Sequence, residues 1–406
     1  MSKTIVIIGA GQAGAQAVQS LRQAGFDGRL LLIGDEPQAP YQRPPLSKKY
    51  LAGEFEQERL SLLPEKFYSD NAVECLFGTS VAQLDVDACT ATLSDGFVIT
   101  FDQALIATGS RSRALPIAGA DLEGVFSLRS IADVDAMRAH ARPGQRVIII
   151  GGGYIGLEVA AIARQLGLDV RVIEAAERIM ARTAPAVVSH SFEALHRDHG
   201  VVIETGAGVR GITRGGEGEL VVDTTTGAHA ADWILVGIGG QPNVELAAEA
   251  GLTVENGIVV DELCRTSARH IFAAGDCCNF PSARYGARLR LESVQNAIDQ
   301  AKAAALVMLD QGEPYDPVPW FWSDQYDTKL QIAGLGQGAD EHVVRGDPAS
   351  GSFAVAHLRE GKLIALDAIN APRDYMHARR LVPTLTGVDR AALADPEVPL
   401  NKVVTG

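Results

Sequence analysis

Two stretches of this 406-residue chain carry residue types at a spacing that can hold a phosphate. The first contains Gly9, Gly11, Ala13 and Gly14, and the second Gly151, Gly153 and Gly156. In a Gly-x-Gly-x-x-Gly run the first glycine makes a tight turn, the second lets the backbone approach a pyrophosphate, and the third lets a helix pack closely on its strand. The phosphates then rest on the helix N-terminus, whose free N–H groups and dipole favour an anion. About twenty residues after each set stands an acid, Asp35 and Glu174 respectively, placed to accept hydrogen bonds from ribose hydroxyls. Two such sets imply two dinucleotides. A third carboxylate, Asp276, follows Gly275 after a run of small residues, where it can bond a ribityl hydroxyl or simply cap a turn.

These residues need elements to position them. Ile5–Ile8 and Val147–Ile150 are apolar without alternation, as strands buried on both faces of a parallel sheet are. Arg29–Ile33 and Asp169–Ile173 read as the second strands that end at the acids. Two further runs, one ending in Ala107, Thr108 and Gly109 and the other in Gly239 and Gly240, finish in small residues that permit close backbone approach. The repetition predicts an α/β chain with two Rossmann-type dinucleotide-binding domains, the second inserted into the first. Pro44 and Pro45 stiffen the segment that presents Arg43 and Lys48, whose plainer reading is a surface connection. Ser293 is the expected N-cap of a helix reaching Met308, and a dipole there suits a flavin ring that gains negative charge. Beyond the linker of Pro314, Pro317 and Pro319, runs at 329–334, 342–345, 353–358 and 362–367 predict an antiparallel sheet closed by a helix near 374–381. The expected division is 1–112 with 241–315, then 113–240, then 316–406 as a C-terminal α+β domain.

Composition narrows the function classes. A hydrophobic fraction of 47% supports sizeable cores, while a net charge of −14 argues against nucleic acid or an anionic membrane as the main partner. The five cysteines lack C-x-x-C spacing, which suits a reducing cytoplasm. The first strand begins within a few residues of Met1 and no apolar run reaches bilayer length, so the expectation is a soluble cytoplasmic protein without a signal peptide. His196 and His199 share a helix face but have no third ligand type nearby, so they read as solvated and no metal site is expected.

The sequence closely resembles the FAD-containing, NADH-dependent ferredoxin reductases of bacterial cytochrome P450 and Rieske oxygenase systems, over essentially its whole length. The marks are Arg43-Pro-Pro-Leu-Ser-Lys48, Gly151-Gly-Gly-Tyr-Ile-Gly-Leu-Glu158, Gly275-Asp276-Cys277, Glu292-Ser-Val-Gln-Asn296 and Trp320-Phe-Trp-Ser-Asp-Gln325. The resemblance implies a glutathione reductase-like fold and transfer of electrons from NADH through FAD to a [2Fe-2S] ferredoxin. It implies FAD contacts at the first glycine set, Asp35, Arg43, Lys48, Val81, Arg129, Asp276 and Val294, and NADH contacts at the second glycine set with Ile155, Glu174, Arg182 and Gly239. It further places Lys48 beside the isoalloxazine, Glu158 where nicotinamide meets flavin, and Trp320 as a shield over the ring. A monomer or weak dimer is expected.

Two alternatives stay open. Flavin disulfide reductases and peroxidases need a thiolate after the first nucleotide unit, and Gln42–Lys48 has no cysteine; Cys277 and Cys278 read as small buried hydrophobes. A flavoprotein like apoptosis-inducing factor would need a basic surface for DNA, against the overall charge. An acidic ferredoxin also needs a local basic face, for which Arg284, Arg288, Arg290, Lys329, Arg373, Arg379 and Arg380 are the candidates, against a reading as idle surface charge.

Overall fold

A computed structural model describes residues 3–405. The chain forms two compact units, Met1–Arg43 with Glu56–Arg111 and Gly240–Pro317, and Pro44–Phe55 with Ser112–Gly239 and Val318–Gly406.

The first unit is built on strand β1 (Thr4–Ile8), helix α1 (Gln12–Gln23) and strand β2 (Arg29–Gly34). Ile5, Val6 and Ile7 are wholly buried, which explains the lack of alternation. The sheet is parallel and five-stranded, in the order Ile271–Ala273, Gln103–Ile106, β1, β2, Val73–Phe77. Buried small residues let α1 lie close to the helix Val294–Met308: Ala13, Ala17 and Val18 from one, Ala297, Ala301 and Ala304 from the other. Ser293 caps that second helix as expected, its hydroxyl accepting from the Asn296 N–H at 3.1 Å.

The second unit repeats the pattern with β3 (Arg146–Ile150), α2 (Tyr154–Gln165), β4 (Asp169–Ile173) and α3 (Ala186–Asp198). Its parallel sheet runs Val202–Glu204, β4, β3, Trp233–Val236, Val125–Phe126. The same unit contains a five-stranded antiparallel sheet whose first strand is β5 (Trp320–Gln325) and whose order is β5, Thr328–Gly334, Lys362–Ile369, Ser352–Arg359, Glu341–Asp347. The predicted strand runs all lie inside these strands, and the predicted closing helix is Pro372–Leu381.

Alternation gives that sheet two different faces. Ala354, Ala356, Leu366 and Ala368 form a core with Tyr375 and Ala378 of the closing helix. The opposite face turns Phe321, Ser323 and Gln325 of β5 toward α2 and α3: Phe321 meets Tyr154 at 4.8 Å between ring centroids, Ser323 bonds Glu158, and Gln325 bonds His196. No helix among the described residues is long and apolar enough to cross a membrane.

Candidate dinucleotide and electron-transfer site

The glycines of the two sets occupy three physically distinct places, and they do so twice. Gly9 and Gly151 have φ of +117° and +110°, and a Cβ on them would lie 2.2 Å from the Ala107 carbonyl oxygen and 2.4 Å from that of Gly237. Gly14 and Gly156 lie in the first turn of their helices, so close to the preceding loop that a Cβ would sit 2.0 and 2.2 Å from the carbonyl oxygens of Gly9 and Gly151. Gly11 and Gly153 are different: no described atom comes within 4 Å of an added Cβ. Each middle glycine therefore opens a backbone approach at the N-terminus of a helix, and that cradle fits a pyrophosphate.

Each cradle also has its acid at the end of the second strand. Glu174 is held by two backbone donors, its carboxylate accepting from Gly152 N–H at 2.7 Å and Ala176 N–H at 2.8 Å. Asp35 is exposed and accepts only from the Glu36 N–H, at 3.1 Å, among the described residues. Of the arginines near Glu174, Arg171 is paired with Glu204 and Arg178 donates to Ser189 and to the carbonyls of Ala181 and Ala184. Arg182 is exposed and its guanidinium would be 3.3 Å from a Cβ on Gly239, so those two expected contacts are neighbours. Ile155, at 46% exposure, stands on the first turn of α2.

Within the first unit, Gly275 and Ala13 come together, a Cβ on Gly275 falling 3.2 Å from that of Ala13. The Gly275 N–H is held by the Gln300 amide oxygen at 2.9 Å, and Asp276 accepts from the Ser110 hydroxyl at 2.9 Å. Arg43 pairs with Glu36 at 2.6 Å and lies close enough to Asp276 for their charges to interact. Buried Ala107 and the adjoining Thr108 and Gly109 run beside the first turn, Thr108 donating to the Asn243 carbonyl. Val81 starts an antiparallel strand against Leu93, and Val294 opens the helix that Ser293 caps.

The second unit holds the unusual electrostatics. Glu158, two residues past Gly156 on α2, is 4% exposed. Its Oε2 meets the Lys48 ammonium at 2.7 Å and accepts from the Ser47 hydroxyl at 2.6 Å; its Oε1 accepts from the Ser323 hydroxyl at 2.6 Å. A buried ion pair survives desolvation only with such geometry and with its remaining lone pairs satisfied. Lys48 and Ser47 are brought there by the turn Pro44–Ser47, where the paired prolines set the backbone. Trp320, half-buried, lies on the other face of β5 with Trp322 at 5.7 Å and the Arg379 guanidinium 4.8 Å over its ring. Arg129 donates its N–H to Asp133, in the capping box of the helix Ile131–Arg138.

Two sequence expectations change and one holds. His196 is not a solvated histidine: it is wholly buried on α3, with Nε2 2.8 Å from the Gln325 amide oxygen. The signal was present, because Val188, Phe192 and His196 repeat every four residues on the buried stripe of that helix. Arg288 and Arg290, candidates for a basic docking face, are engaged within the protein. Arg288 donates to the carbonyls of Val260 and Asn279, and Arg290 pairs with Glu292. Cys277 and Cys278 are wholly buried, and burial raises both thiols above their ordinary pKa, so they are the inert small hydrophobes expected.

The sequence matches the family model described as pyridine nucleotide-disulphide oxidoreductase over residues 3–301 and the reductase C-terminal model over residues 320–404. It is 44% identical to rhodocoxin reductase of Rhodococcus erythropolis, covering 99% of this chain and 94% of that one. It is 41% identical to the ferredoxin–NAD(+) reductase component of the anthranilate 1,2-dioxygenase system of Burkholderia cepacia, covering 98% of each. The crystal structure of the covalent putidaredoxin reductase–putidaredoxin complex superposes with a TM-score of 0.96 at 37% identity, over 99% of this chain and 98% of that one. On its glycine cradles and these matches, the chain belongs to the pyridine nucleotide-disulphide oxidoreductase family, in the ferredoxin reductase group that carries the reductase C-terminal domain.

Proposed function

We propose that this protein is an NADH:ferredoxin oxidoreductase that uses FAD and delivers electrons to a [2Fe-2S] ferredoxin of a cytochrome P450 or Rieske oxygenase system. The Lys48–Glu158 pair carries the reading, because it puts a fixed charge pair on the helix that starts at the second glycine cradle, with no cysteine in the segment Gln42–Lys48 that supplies the lysine. FAD, when bound, accepts the hydride of NADH and hands on its two electrons one at a time. The first cradle with Asp35, Arg43 and Asp276 would hold the FAD, with Val81, Arg129, Ser293 and Val294 as further contacts. The second cradle with Ile155, Glu174, Arg182 and Gly239 would hold NADH.

Positioning supplies most of the rate in such a transfer, and rigid elements do the positioning. Glu158 follows the cradle residue Gly153 by about one and a half helical turns. Any nicotinamide anchored by its phosphates at that cradle is therefore registered against the carboxylate and the lysine. Glu174, already holding two backbone N–H donors, adds a negative charge where a 2′-phosphate would lie and so favours NADH. The domain division 1–112 with 241–315, 113–240 and 316–406 is kept on functional grounds, each part having one role: FAD, NADH and the electron exit. A monomer or weak dimer suffices for all three.

The exit face is assigned to the closing helix, which exposes Arg373, Arg379 and Arg380 and lays the Arg379 guanidinium over the Trp320 ring. An acidic ferredoxin would be steered there over the roughly 8 Å that charges reach at physiological salt. The test is anaerobic: reduce the FAD-loaded protein with one equivalent of NADH, then mix it with candidate ferredoxins. Bleaching of the flavin by NADH and of a ferredoxin on mixing is expected, with the second rate falling as salt rises and in Arg380→Glu. Flavin reduction that no ferredoxin reverses, or a second rate indifferent to salt and to that reversal, would overturn the reaction or the exit face respectively.

A further inference from the structure

Behind the Lys48–Glu158 pair lies a second set of polar side chains, buried where the antiparallel sheet meets α2 and α3. His196, Gln325 and Ser323 are each 0% exposed, and together they form one connected line. Ser323 Oγ is 2.6 Å from Glu158 Oε1, Gln325 Nε2 is 3.2 Å from Ser323 Oγ, and His196 Nε2 is 2.8 Å from Gln325 Oε1. Polar groups buried among apolar neighbours persist when they are mutually satisfied, and such lines are rigid because every member has one allowed orientation.

The proton positions are set by the partners. A carboxylate oxygen accepts, so Ser323 gives its single proton to Glu158. Ser323 Oγ must then accept from Gln325, which fixes the amide with its NH2 toward the serine and its oxygen toward His196. The opposite amide orientation would face a carbonyl oxygen to a hydroxyl whose proton is already used. His196 must consequently donate from Nε2. Its Nδ1 has no hydrogen-bond partner among the described residues, so the ring is the neutral Nε2–H tautomer. Burial works in the same direction, lowering its pKa to about 4.

We propose that His196, Gln325 and Ser323 are positioning residues for Glu158: a one-way line of donors, running from α3 through β5, that fixes Oε1 so that Oε2 meets Lys48 and Ser47. The proposal rests on Lys48 and Glu158 serving the transfer from NADH. The line orients rather than conducts, because the Gln325 amide could relay a proton only by passing through its imidic acid form. Lys48 is the charged group bonded to Glu158. His196 faces the Tyr326 ring at 5.2 Å and His199 along its own helix, and Arg164 acts on Tyr326.

Two measurements test it. In the FAD-loaded protein labelled with 15N-histidine, His196 should show the neutral Nε2–H tautomer from pH 8 down to about pH 5, and Gln325→Leu should abolish that tautomer's dominance. In stopped-flow reduction of the bound flavin by NADH, Ser323→Ala should lower the limiting rate about tenfold with little change in the NADH concentration needed for half-saturation. Its pH profile should also move by at least one unit relative to wild type, and Ser323→Thr should bring the rate back to within about twofold. A side chain with only a packing role would lower thermal stability and leave the profile in place. A cationic or Nδ1–H His196 at pH 7, or an unmoved profile in Ser323→Ala, overturns the proposal; if that variant does not fold, the tautomer in the wild type decides. Failure of wild-type NADH reduction with the Nε2–H tautomer intact would instead overturn the functional reading and leave the donor line standing.

Discussion

The two glycine cradles are near copies in backbone and opposites in the helices that leave them. Counting from the third glycine, Gln16 of α1 occupies the place that Glu158 occupies on α2. Gln16 is partly buried and satisfied within its own helix, donating to Ser20 at 3.0 Å. Glu158 is buried, paired with a lysine and held by two hydroxyls from distant parts of the chain. The shared geometry answers a shared need, a pyrophosphate on a helix N-terminus. Chemistry enters where the copies depart, at a position about one and a half helical turns beyond the cradle that packing alone would leave to any side chain that fits.

That contrast can be broken or sharpened by substitution. The largest effect is expected from Lys48→Met, which strands Glu158 without its cation; urea unfolding of the second unit should show a loss of about 3–5 kcal/mol, whereas Gln16→Ala in the first unit should lose less than about 1 kcal/mol. Equal losses at the two sites would erase the distinction. The glycines should separate next. Gly151→Ala forces a Cβ onto the Gly237 carbonyl at positive φ and should lower stability by at least about 3 kcal/mol. Gly153→Ala meets nothing, so its melting temperature should stay within a degree or two while NADH affinity, read by titration, falls about tenfold or more.

An effect of comparable size belongs to pH. His196 takes its proton near 6.5 when unfolded and near 4 when folded, so unfolding takes up a proton between those values. Stability is fully present above pH 6.5 and falls as the pH drops toward 4, by about 3 kcal/mol in total by that linkage. His196→Asn should flatten this part of the profile in denaturation at stepped pH, and an unchanged slope would place the acid sensitivity elsewhere. Glu174→Gln should narrow the preference for NADH over NADPH in kcat/KM by about tenfold, the scale of one hydrogen-bonded charge, about 1.4 kcal/mol. The smallest effect is assigned to Cys277→Ala, which should change turnover by less than about twofold, since the buried thiol has no part in the transfer. Loss of turnover with FAD retained would revive thiol chemistry.

Much of the fold was readable because it rests on local patterns. Runs such as Ile5–Ile8 and Val147–Ile150, each followed by glycines at fixed spacing, specify strand, turn and helix within about thirty residues. The C-terminal sheet announced itself by short strand-like runs separated by turn residues such as Glu360 and Gly361. The parts that stayed hidden depend on partners far along the chain. Nothing local to Pro44–Phe55 shows that it joins the second unit, nor that Lys48 there meets Glu158. Arg288 was a candidate for the basic face, and nothing local foretold that its guanidinium donates to the carbonyls of Val260 and Asn279. His196 lay between these cases: its helical spacing placed it on the buried stripe, while its partner Gln325 lies 129 residues away.

The threading of Pro44–Phe55 into the second unit also bears on how the chain is made. Glu158 draws one hydroxyl from a residue 111 positions before it and another from a residue 165 positions after it. Closing loops of that length is slow relative to local structure, and during synthesis the later hydroxyl does not exist until most of the chain has been translated. A nascent chain that stops short of β5 therefore carries an incompletely satisfied carboxylate in a helix that is otherwise ready to pack. The second unit cannot mature as an independent module: it waits at one end for a segment lent by the N-terminal region and at the other for the arrival of the C-terminal sheet. Fragments cut at the family boundaries should then be poor at folding alone and better in complementation, with the last strands acting as the latch that commits the whole chain.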